Sequence, residues 1–484
     1  MIFSFFKKKP AFSYPPLALH NTLSGKIERF EPIENRKNGI VKMYNCGPTV
    51  YDYATIGNLR SYVFADTIRR TLLANGYKVD QVINITDFGH LTSDADEGED
   101  KMSKGLRREG MELTLENMRE LSTRYMDAFL HDIQELGLDT KKIKFPRASE
   151  YVKQEIALIQ TLEQKGYAYR GARDVYFDTA KFPAYGKLGK RNLSEQLSGA
   201  RVEVNPEKKT PNDFVLWKGD EKLGWQSPWG LGFPGWHIEC TAMIFTLLGK
   251  QIDIHTGGID HIAVHHNNEI AQAEAATGKQ FVRYWMHNEF ITIEAKRIGK
   301  SEGNAILLHS LVDKGFNPRA LRYWYLTGHY RTPMNFTWEA IEGAHTALKR
   351  LQRMFLELPK GGKPNAQFLQ DFYAASNDDL NTAQALARVW DMVRDESVSP
   401  KDKRASLLEA DKILGLGLSE PQVAAKLAVI EEADLPEEVQ KLLDDRTMAR
   451  IAKNYARADE LRIQIEALGY ELKDTAEGQK VTKK

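Results

Sequence analysis

The sequence predicts an α/β protein: a parallel-sheet, nucleotide-binding core interrupted by an insertion and followed by helical segments. Three observations predict it. First, residues 40–84 alternate β, loop, α and β. "IVKMYN" is a short apolar run and "CGPTVYDYATI" a loop rich in Gly, Pro and Thr. "GNLRSYVFADTIRRTLLANG" places Leu59, Tyr62, Val63, Ile68 and Leu72 at helical spacing and ends at Gly76, and "KVDQVINIT" is a second apolar run. Second, the pattern returns late in the chain. A helix runs through "HIECTAMIFTLLG", a strand through "QIDIHTG", a helix through "HNNEIAQAEAATG" and an extended stretch through "YWMHNEFITI". Third, residues 171–225 change character, with short β segments such as "DVYFDT" among turns and charges, and roughly 130–225 reads as an insertion. That order reads as two halves of one parallel α/β fold separated by an insertion.

The remaining elements follow in order. Residues 1–20 read as an arm or edge segment, and 111–170 as mostly helical. From about 340 the chain turns amphipathic and helical, as in "EAIEGAHTALKRLQRMFLEL" and "TAQALARVWDMVRD", with "LPKGGKPN" and "EEADLPEE" as connections. The last fifty or so residues form a small helical module with an extended end. A chain of 484 residues suits roughly three domains. The composition, 42% hydrophobic and 27% charged with mean hydropathy −0.47, is that of a soluble globular protein. No apolar run approaches the ~20 residues a membrane span needs, and "MIFSFFKKKP" has the wrong order for a secretory signal. Two cysteines cannot build a disulfide framework, so a cytoplasmic location is expected. The net charge of +1 neither suggests nor excludes a nucleic-acid partner. Basic clusters such as "KKIKFPR" and "KDKR" read as solvated surface.

The scarce cysteines draw attention to a donor pattern. His265 and Glu269 are four apart on a predicted helix and share one face. Cys240 lies ahead of them. Cys46 opens the loop after the first strand, at the carboxyl edge where such folds bind ligands. Two thiols, an imidazole and a carboxylate suit Zn²⁺ in number and type. His266 is an alternative donor, about 100° around the helix from His265. Core cysteines and a polar helix face satisfy the same spacing, so both readings stay open. "YDYATIGNLRS" places a Gly at a helix start after a strand and loop, a phosphate-binding arrangement. "AKRIGKSEGN" sets Lys300 and Ser301 in a glycine-flanked loop, suited to a departing pyrophosphate. "KMSKG" at 101–105 imitates such a loop but lies in the first half, after an acidic run that is no EF-hand because its glycine falls one place early.

Together "CGPTVYDYATIGNLRSYV", "NITD", "GWHIECTAM", "IHTGGID" with "HHNNEIAQAEAATG", "KRIGKSEGN", "NDDLNTAQALA" and "YARADELR" resemble cysteinyl-tRNA synthetases, in the same order, from about residue 20 to 478. The resemblance implies a class I synthetase: a Rossmann-type parallel-sheet catalytic domain with an α+β insertion, then a helical domain and a small C-terminal anticodon-binding module. The implied boundaries are an arm 1–20, a split catalytic domain 21–130 and 226–295, an insertion 131–225, a linking segment 296–340, a helical domain 341–435 and the anticodon module 436–484. It implies one Zn²⁺ per chain on Cys46, Cys240, His265 and Glu269, meeting the substrate thiol. It implies ATP with Mg²⁺, L-cysteine and tRNA(Cys) as partners of a monomer, without a membrane.

By the same match, residues 48–58 form the first signature and 297–301 the second. Thr55, Asn58 and Lys300 are the implied catalytic residues. Gly57, Gly257, Gly258, Asp260, Arg297, Lys300 and Ser301 approach the nucleotide, and Gly47, Thr49, Thr86 and Trp236 the bound cysteine. Arg450, Tyr455, Asp459 and Asp474 match positions that approach the anticodon. Two departures stand out. Thr55 replaces the usual histidine of the first signature, keeping one hydrogen-bond donor without charge. "RIGKS" replaces the usual KMSKS, keeping its second lysine and an arginine at the first. A working enzyme, slower in activation, is the expectation. The alternatives are a ligase that joins activated cysteine to a small amine, and a tRNA- or zinc-binding paralogue with reduced catalysis.

Overall fold

The computed structural model describes residues 14–34, 39–88, 101–189, 205–294, 296–297, 305–420, 429–430, 432–475 and 478–483. Its central sheet is built from β1 (Ile40–Asn45), β2 (Lys78–Ile83), β3 (Ile252–Gly258) and β4 (Val282–Asn288), in spatial order β4-β3-β1-β2. Every pairing is parallel. A parallel sheet is covered on both faces, so its strands are apolar almost throughout. Met43, Tyr44, Val82, Ile83, Ile254, Tyr284 and Trp285 are accordingly all buried. Helix α1 (Ile56–Ala74) crosses from β1 to β2, and the five residues whose spacing predicts it are all buried. Gly76 ends it in the left-handed region at φ +86°. The second half supplies α2 (Trp236–Leu247) and α3 (His265–Thr277), the latter closed by left-handed Gly278.

The two halves meet at the carboxyl ends of the strands. There the loop after β1 runs directly against the chain leaving β2. A Cβ on Gly47 would lie 1.5 Å from the Asn84 carbonyl oxygen. Its absence lets the Gly47 N–H donate to Asn84 Oδ1 at 2.8 Å. Thr49 and Thr86 then bridge in parallel, with Val50 N–H donating to the Thr86 carbonyl and Thr86 N–H to the Pro48 carbonyl.

Between the halves lie helices Leu115–Glu135 and Val152–Gln164 and a five-stranded antiparallel sheet. This sheet runs to Pro234, beyond the expected boundary at 225. Trp225–Ser227 folds back on Gly230–Pro234, whose other edge pairs with Phe214–Gly219. Residues Ala18–Asn21, inside the expected arm and at its edge, pair with Lys26–Arg29. Four helices between Trp338 and Leu414 follow the core. The C-terminal helices Glu437–Ile451 and Tyr455–Ala467 and the hairpin Tyr470–Thr475/Gly478–Lys483 enclose a separate small core of Leu435, Val439, Leu443, Ile465, Leu472 and Val481.

A buried ion network ties the core to the helical region. Asp66 of α1 meets Arg70 Nε at 2.5 Å and Arg322 Nη1 at 2.7 Å. Arg322, fully buried, also donates to the carbonyls of Leu414 and Leu136, and Arg70 to that of Gly137. Burial alone would raise the Asp66 pKa, but the charges and hydrogen bonds of Arg70 and Arg322 overcome it and hold it below the ordinary value. Removing one partner of such a pair leaves an uncompensated buried charge.

Asp66→Asn is therefore expected to lower stability by about 3–5 kcal/mol at neutral pH. A carboxyl with a depressed folded pKa stabilises fully above its unfolded pKa of about 4 and loses that contribution as pH falls through the folded value. The gap between wild type and variant, read from thermal midpoints, should thus close on acidification; a gap constant from pH 7 to 3 would contradict the assignment. Glycine substitutions should split by sign. Gly47→Ala should destabilise by about 1–3 kcal/mol through overpacking. Gly343→Ala, on a helix with open space around it, should stabilise by about 0.5–1 kcal/mol. Equal effects in chemical denaturation would refute the close-approach argument.

Candidate metal centre and nucleotide site

The strand ends and two helix starts converge on one group of donors. Cys46 follows β1, held by its N–H donating to the Thr256 carbonyl of β3. Cys240 sits in the second turn of α2, buried. His265 and Glu269 lie on the first turns of α3. Glu269 is fully buried, with Oε2 2.9 Å from His255 Nε2 and Oε1 3.0 Å from His265 Nε2. His265 Nε2 is 3.6 Å from Cys240 Sγ. The donor atoms of Cys46, Cys240, His265 and Glu269 all lie within 4.8 Å of one another.

These residues fit a zinc ion on several grounds. Thiol, imidazole and carboxylate are its usual donors, four in number. Glu269 Oε1 is buried with no aligned hydrogen-bond donor, so its lone pairs face the same space as His265 Nε2. The other ring nitrogen of His265 lies 2.8 Å from His237 Nδ1. Burial pushes the His237 pKa far down, keeping that ring neutral and able to accept. His265 is thereby oriented with Nε2 inward, the arrangement expected of a ligating histidine. The charged groups compensate one another. A hydrogen bond from Cys46 leads the lowering of the Cys240 thiol to about 6. Burial opposes charge on Glu269, but His255 and His265 outweigh it and hold the carboxyl at about 2. Burial likewise opposes charge on His265, and Cys240 and Glu269 raise it to about 10.

Sequence spacing alone undervalues the surrounding histidines. His266 Nε2 lies 3.2 Å from Cys46 Sγ, while its Nδ1 is 2.8 Å from His287 Nε2. His266 thus reaches the same space from a second side, and Cys46, His255, His266 and Glu269 form an overlapping donor set. His255 stood in plain view on the strand "QIDIHTG"; only its pairing with Glu269 reveals its part.

Trp236, at the start of α2 and half-buried, packs its ring 4.2 Å from that of His265. Thr86 Oγ1 donates to Glu239 Oε2 at 2.9 Å. Gly257 lies near the end of β3, where a Cβ would meet His261 and His266, and exposed Asp260 follows in a short 3₁₀ turn. Trp236 and Gly257 thus lie against histidines of the donor group, while Thr86 meets Glu239, Thr49 bridges Thr86 and Gly47 follows Cys46. Gly258 ends β3 and caps that turn, and Gly57 is half-buried in the first turn of α1.

Thr55 caps α1 and is buried. Its hydroxyl donates to Asn58 Oδ1 at 2.8 Å and accepts from the Asn58 N–H at 3.3 Å. The hydrogen-bond donor that the sequence offers to phosphate is engaged by Asn58 instead. Arg297 ends a short strand with Lys296. Lys300 and Ser301 lie outside the described residues. The imitation loop "KMSKG" opens a helix, Lys101–Arg108, with Lys101 Nζ 5.8 Å from the Trp236 ring centre. In the C-terminal module Asp474 is bound by Arg446 at 3.0 Å and also by Arg450. Tyr455 and Asp459 are exposed on the next helix.

Two family models match. Residues 31–346 match the tRNA synthetases class I (C) catalytic domain, and 432–481 the cysteinyl-tRNA ligase anticodon binding domain. Cysteine–tRNA ligase 1 of Burkholderia lata is 46% identical over 472 residues, covering 96% of this chain and 97% of that one. Cysteine–tRNA ligase of Treponema denticola is 41% identical over 496 residues, covering 95% and 98%. Among solved structures, Mycobacterium tuberculosis methionyl-tRNA synthetase with methionyl-adenylate superposes with a TM-score of 0.53 at 14% identity, covering 80% of this chain and 93% of that one. The Agrobacterium radiobacter LeuRS–tRNA–LeuAMS complex gives 0.58 at 11% identity, covering 82% and 86%. With a parallel sheet whose strand ends carry this donor group, and with relatives matching along nearly the whole length, the chain belongs to the cysteine–tRNA ligase family of class I aminoacyl-tRNA synthetases.

Proposed function

We propose that this protein joins L-cysteine to tRNA(Cys) at the expense of ATP, through a cysteinyl-adenylate. The observation that carries the reading is the donor group of Cys46, Cys240, His265 and Glu269, gathered beside Trp236 at the strand ends of a class I synthetase fold. A zinc ion held there would take the substrate thiolate as a further ligand, a contact that the hydroxyl of serine makes poorly. The chain's own residues do the rest. Glu269 and His265 fix the donor geometry, and His237 and His255 orient them. Trp236 and Thr86 line the cysteine, with Gly47 and Thr49 beside them. Gly57, Gly257, Gly258 and Asp260 accommodate ATP with its Mg²⁺, and Arg297, Lys300 and Ser301 its phosphates.

In the first step a carboxylate oxygen of cysteine attacks the α-phosphorus in line, and pyrophosphate leaves. In the second the 2′-hydroxyl of the terminal adenosine attacks the carbonyl carbon, and AMP leaves. Catalysis rests on positioning and charge stabilisation. Because the Thr55 hydroxyl is engaged by Asn58, Thr55 and Asn58 act as one unit that shapes the helix start facing ATP. Arg450, Tyr455 and Asp459 offer charge and an aromatic face to the anticodon, with Asp474 positioning Arg450. Catalytic domain 21–130 and 235–295, insertion 131–234, linker 296–340, helical domain 341–435 and module 436–484 are the working units of a cytoplasmic monomer. The module matched at 432–481 favours tRNA over a small-amine acceptor.

ATP–pyrophosphate exchange tests the reading. Cysteine should support exchange, serine should not, and a strong chelator should abolish it. Glu269→Gln should raise the KM for cysteine about 10–100-fold or more, the range for disturbing a metal's surroundings, in folded protein. Absence of exchange in folded, zinc-loaded wild type would leave the reduced, binding paralogue as the better description.

A further inference from the structure

We propose that Arg60 is a positioning residue for adenylation, holding the stem of the second signature against the helix that carries the first; this rests on the proposed function. Arg60 lies one turn into α1, two residues after Asn58, and is 3% exposed. Its acceptors are backbone carbonyls. Nη1 donates to those of Glu289 and Phe290 at 2.8 and 2.9 Å. Nη2 donates to those of Thr332, His329 and Tyr330 at 2.8, 3.2 and 3.5 Å.

Those carbonyls belong to two strategic places. Glu289 and Phe290 connect β4 to the strand Ile291–Ile293, which pairs with Lys296–Arg297, the entry to the second signature. Residues 329–332 form the turn before Met334–Phe336, the other partner of Ile291–Ile293. The guanidinium thus holds both sides of the small sheet from which the second signature departs. The chain returning from that signature is tied to the same helix start. Ile56 N–H donates to the Ile306 carbonyl at 2.9 Å, Thr55 bridges Leu307, and Tyr325 Oη donates to the Ile56 carbonyl. Entry and exit are therefore both referenced to residues 55–60, the entry through the side-chain-to-backbone bonds of Arg60 and the exit through backbone bonds of the helix start.

The chemistry explains the residue type. A planar guanidinium presents five N–H donors in a fixed fork, whereas an ammonium has three donors and no fork. Arg60→Lys keeps charge and stem length but cannot span both groups of carbonyls. Relaxing the spacing by about 1 Å misplaces ATP phosphates between the signatures, and a misplacement of that size costs on the order of 100-fold in rate.

The test is steady-state ATP–pyrophosphate exchange with Arg60→Lys and Arg60→Met, alongside thermal midpoints and zinc content. The expected result for Arg60→Lys is folded, zinc-loaded protein with an unchanged KM for cysteine and exchange kcat lowered about 100-fold; Arg60→Met should be lower still. Losses that follow only the folded fraction, or wild-type exchange in Arg60→Lys, would overturn the proposal. Should Arg60→Met fail to fold, Arg60→Lys alone decides. Wild type without exchange would instead strike the proposed function.

Discussion

The structure turns on a carboxylate placed where water cannot reach it. Glu269 is fully buried on the first turns of α3, and a bare charge there would be prohibitive. Two imidazoles hold it, His255 from β3 and His265 from its own helix. His237 backs His265, and the ring of His266, packed on His255, meets Cys46 and His287. Thr22 closes this second branch on His287 at 2.8 Å. Strand ends from both halves of the split sheet meet there, the first half through Cys46. The second half supplies the partners of the charge, and Cys46 of the first half completes the donor group against His266.

Class I architecture concentrates its chemistry by the same economy of edges. A parallel sheet sends every strand's carboxyl end to one side. Here those ends carry Cys46, Asn84 and Gly257, and the helices leaving them begin at Thr55 and His265. Close approach is possible because Gly47 lacks the carbon that would strike the Asn84 carbonyl. Farther out, Asp66 with Arg70 and Arg322 anchors α1 to the helical region. Asp379 does similar work nearer the catalytic edge. Its carboxylate accepts from Tyr330, Arg331 and the His20 N–H, while its backbone sits at φ +50°, an uncommon conformation for a residue with a side chain.

Much of this was legible in the sequence, for local reasons. The stripe of Leu59, Tyr62, Val63, Ile68 and Leu72 gives α1 because a helix repeats every 3.6 residues whatever lies around it. The four donors were legible because thiols are scarce in this chain and because i, i+4 places His265 and Glu269 together. What escaped was nonlocal. That the antiparallel sheet runs on to Pro234 depends on a hairpin pairing with Phe214–Gly219, which no run of residues announces. The hydroxyl of Thr55 is a donor on paper, but its partner is three residues away in the same cap. Arg60 leaves no trace at all, since backbone carbonyls some 230 and 270 residues distant accept from it and any side chain can sit above them. His266 was legible only as an alternative donor, because two adjacent helical residues diverge by about 100°, yet both reach the donor group when it lies at the helix start.

X-ray absorption at the zinc edge of the purified protein, alone and with saturating cysteine or serine, tests the central claim that these four side chains hold a metal that reads the thiol. The predicted result is one zinc per chain with two sulfur ligands at about 2.3 Å and two nitrogen or oxygen ligands, gaining a third sulfur with cysteine and none with serine. A sulfur count that stays at two with cysteine bound, or protein that binds cysteine without zinc, would contradict it.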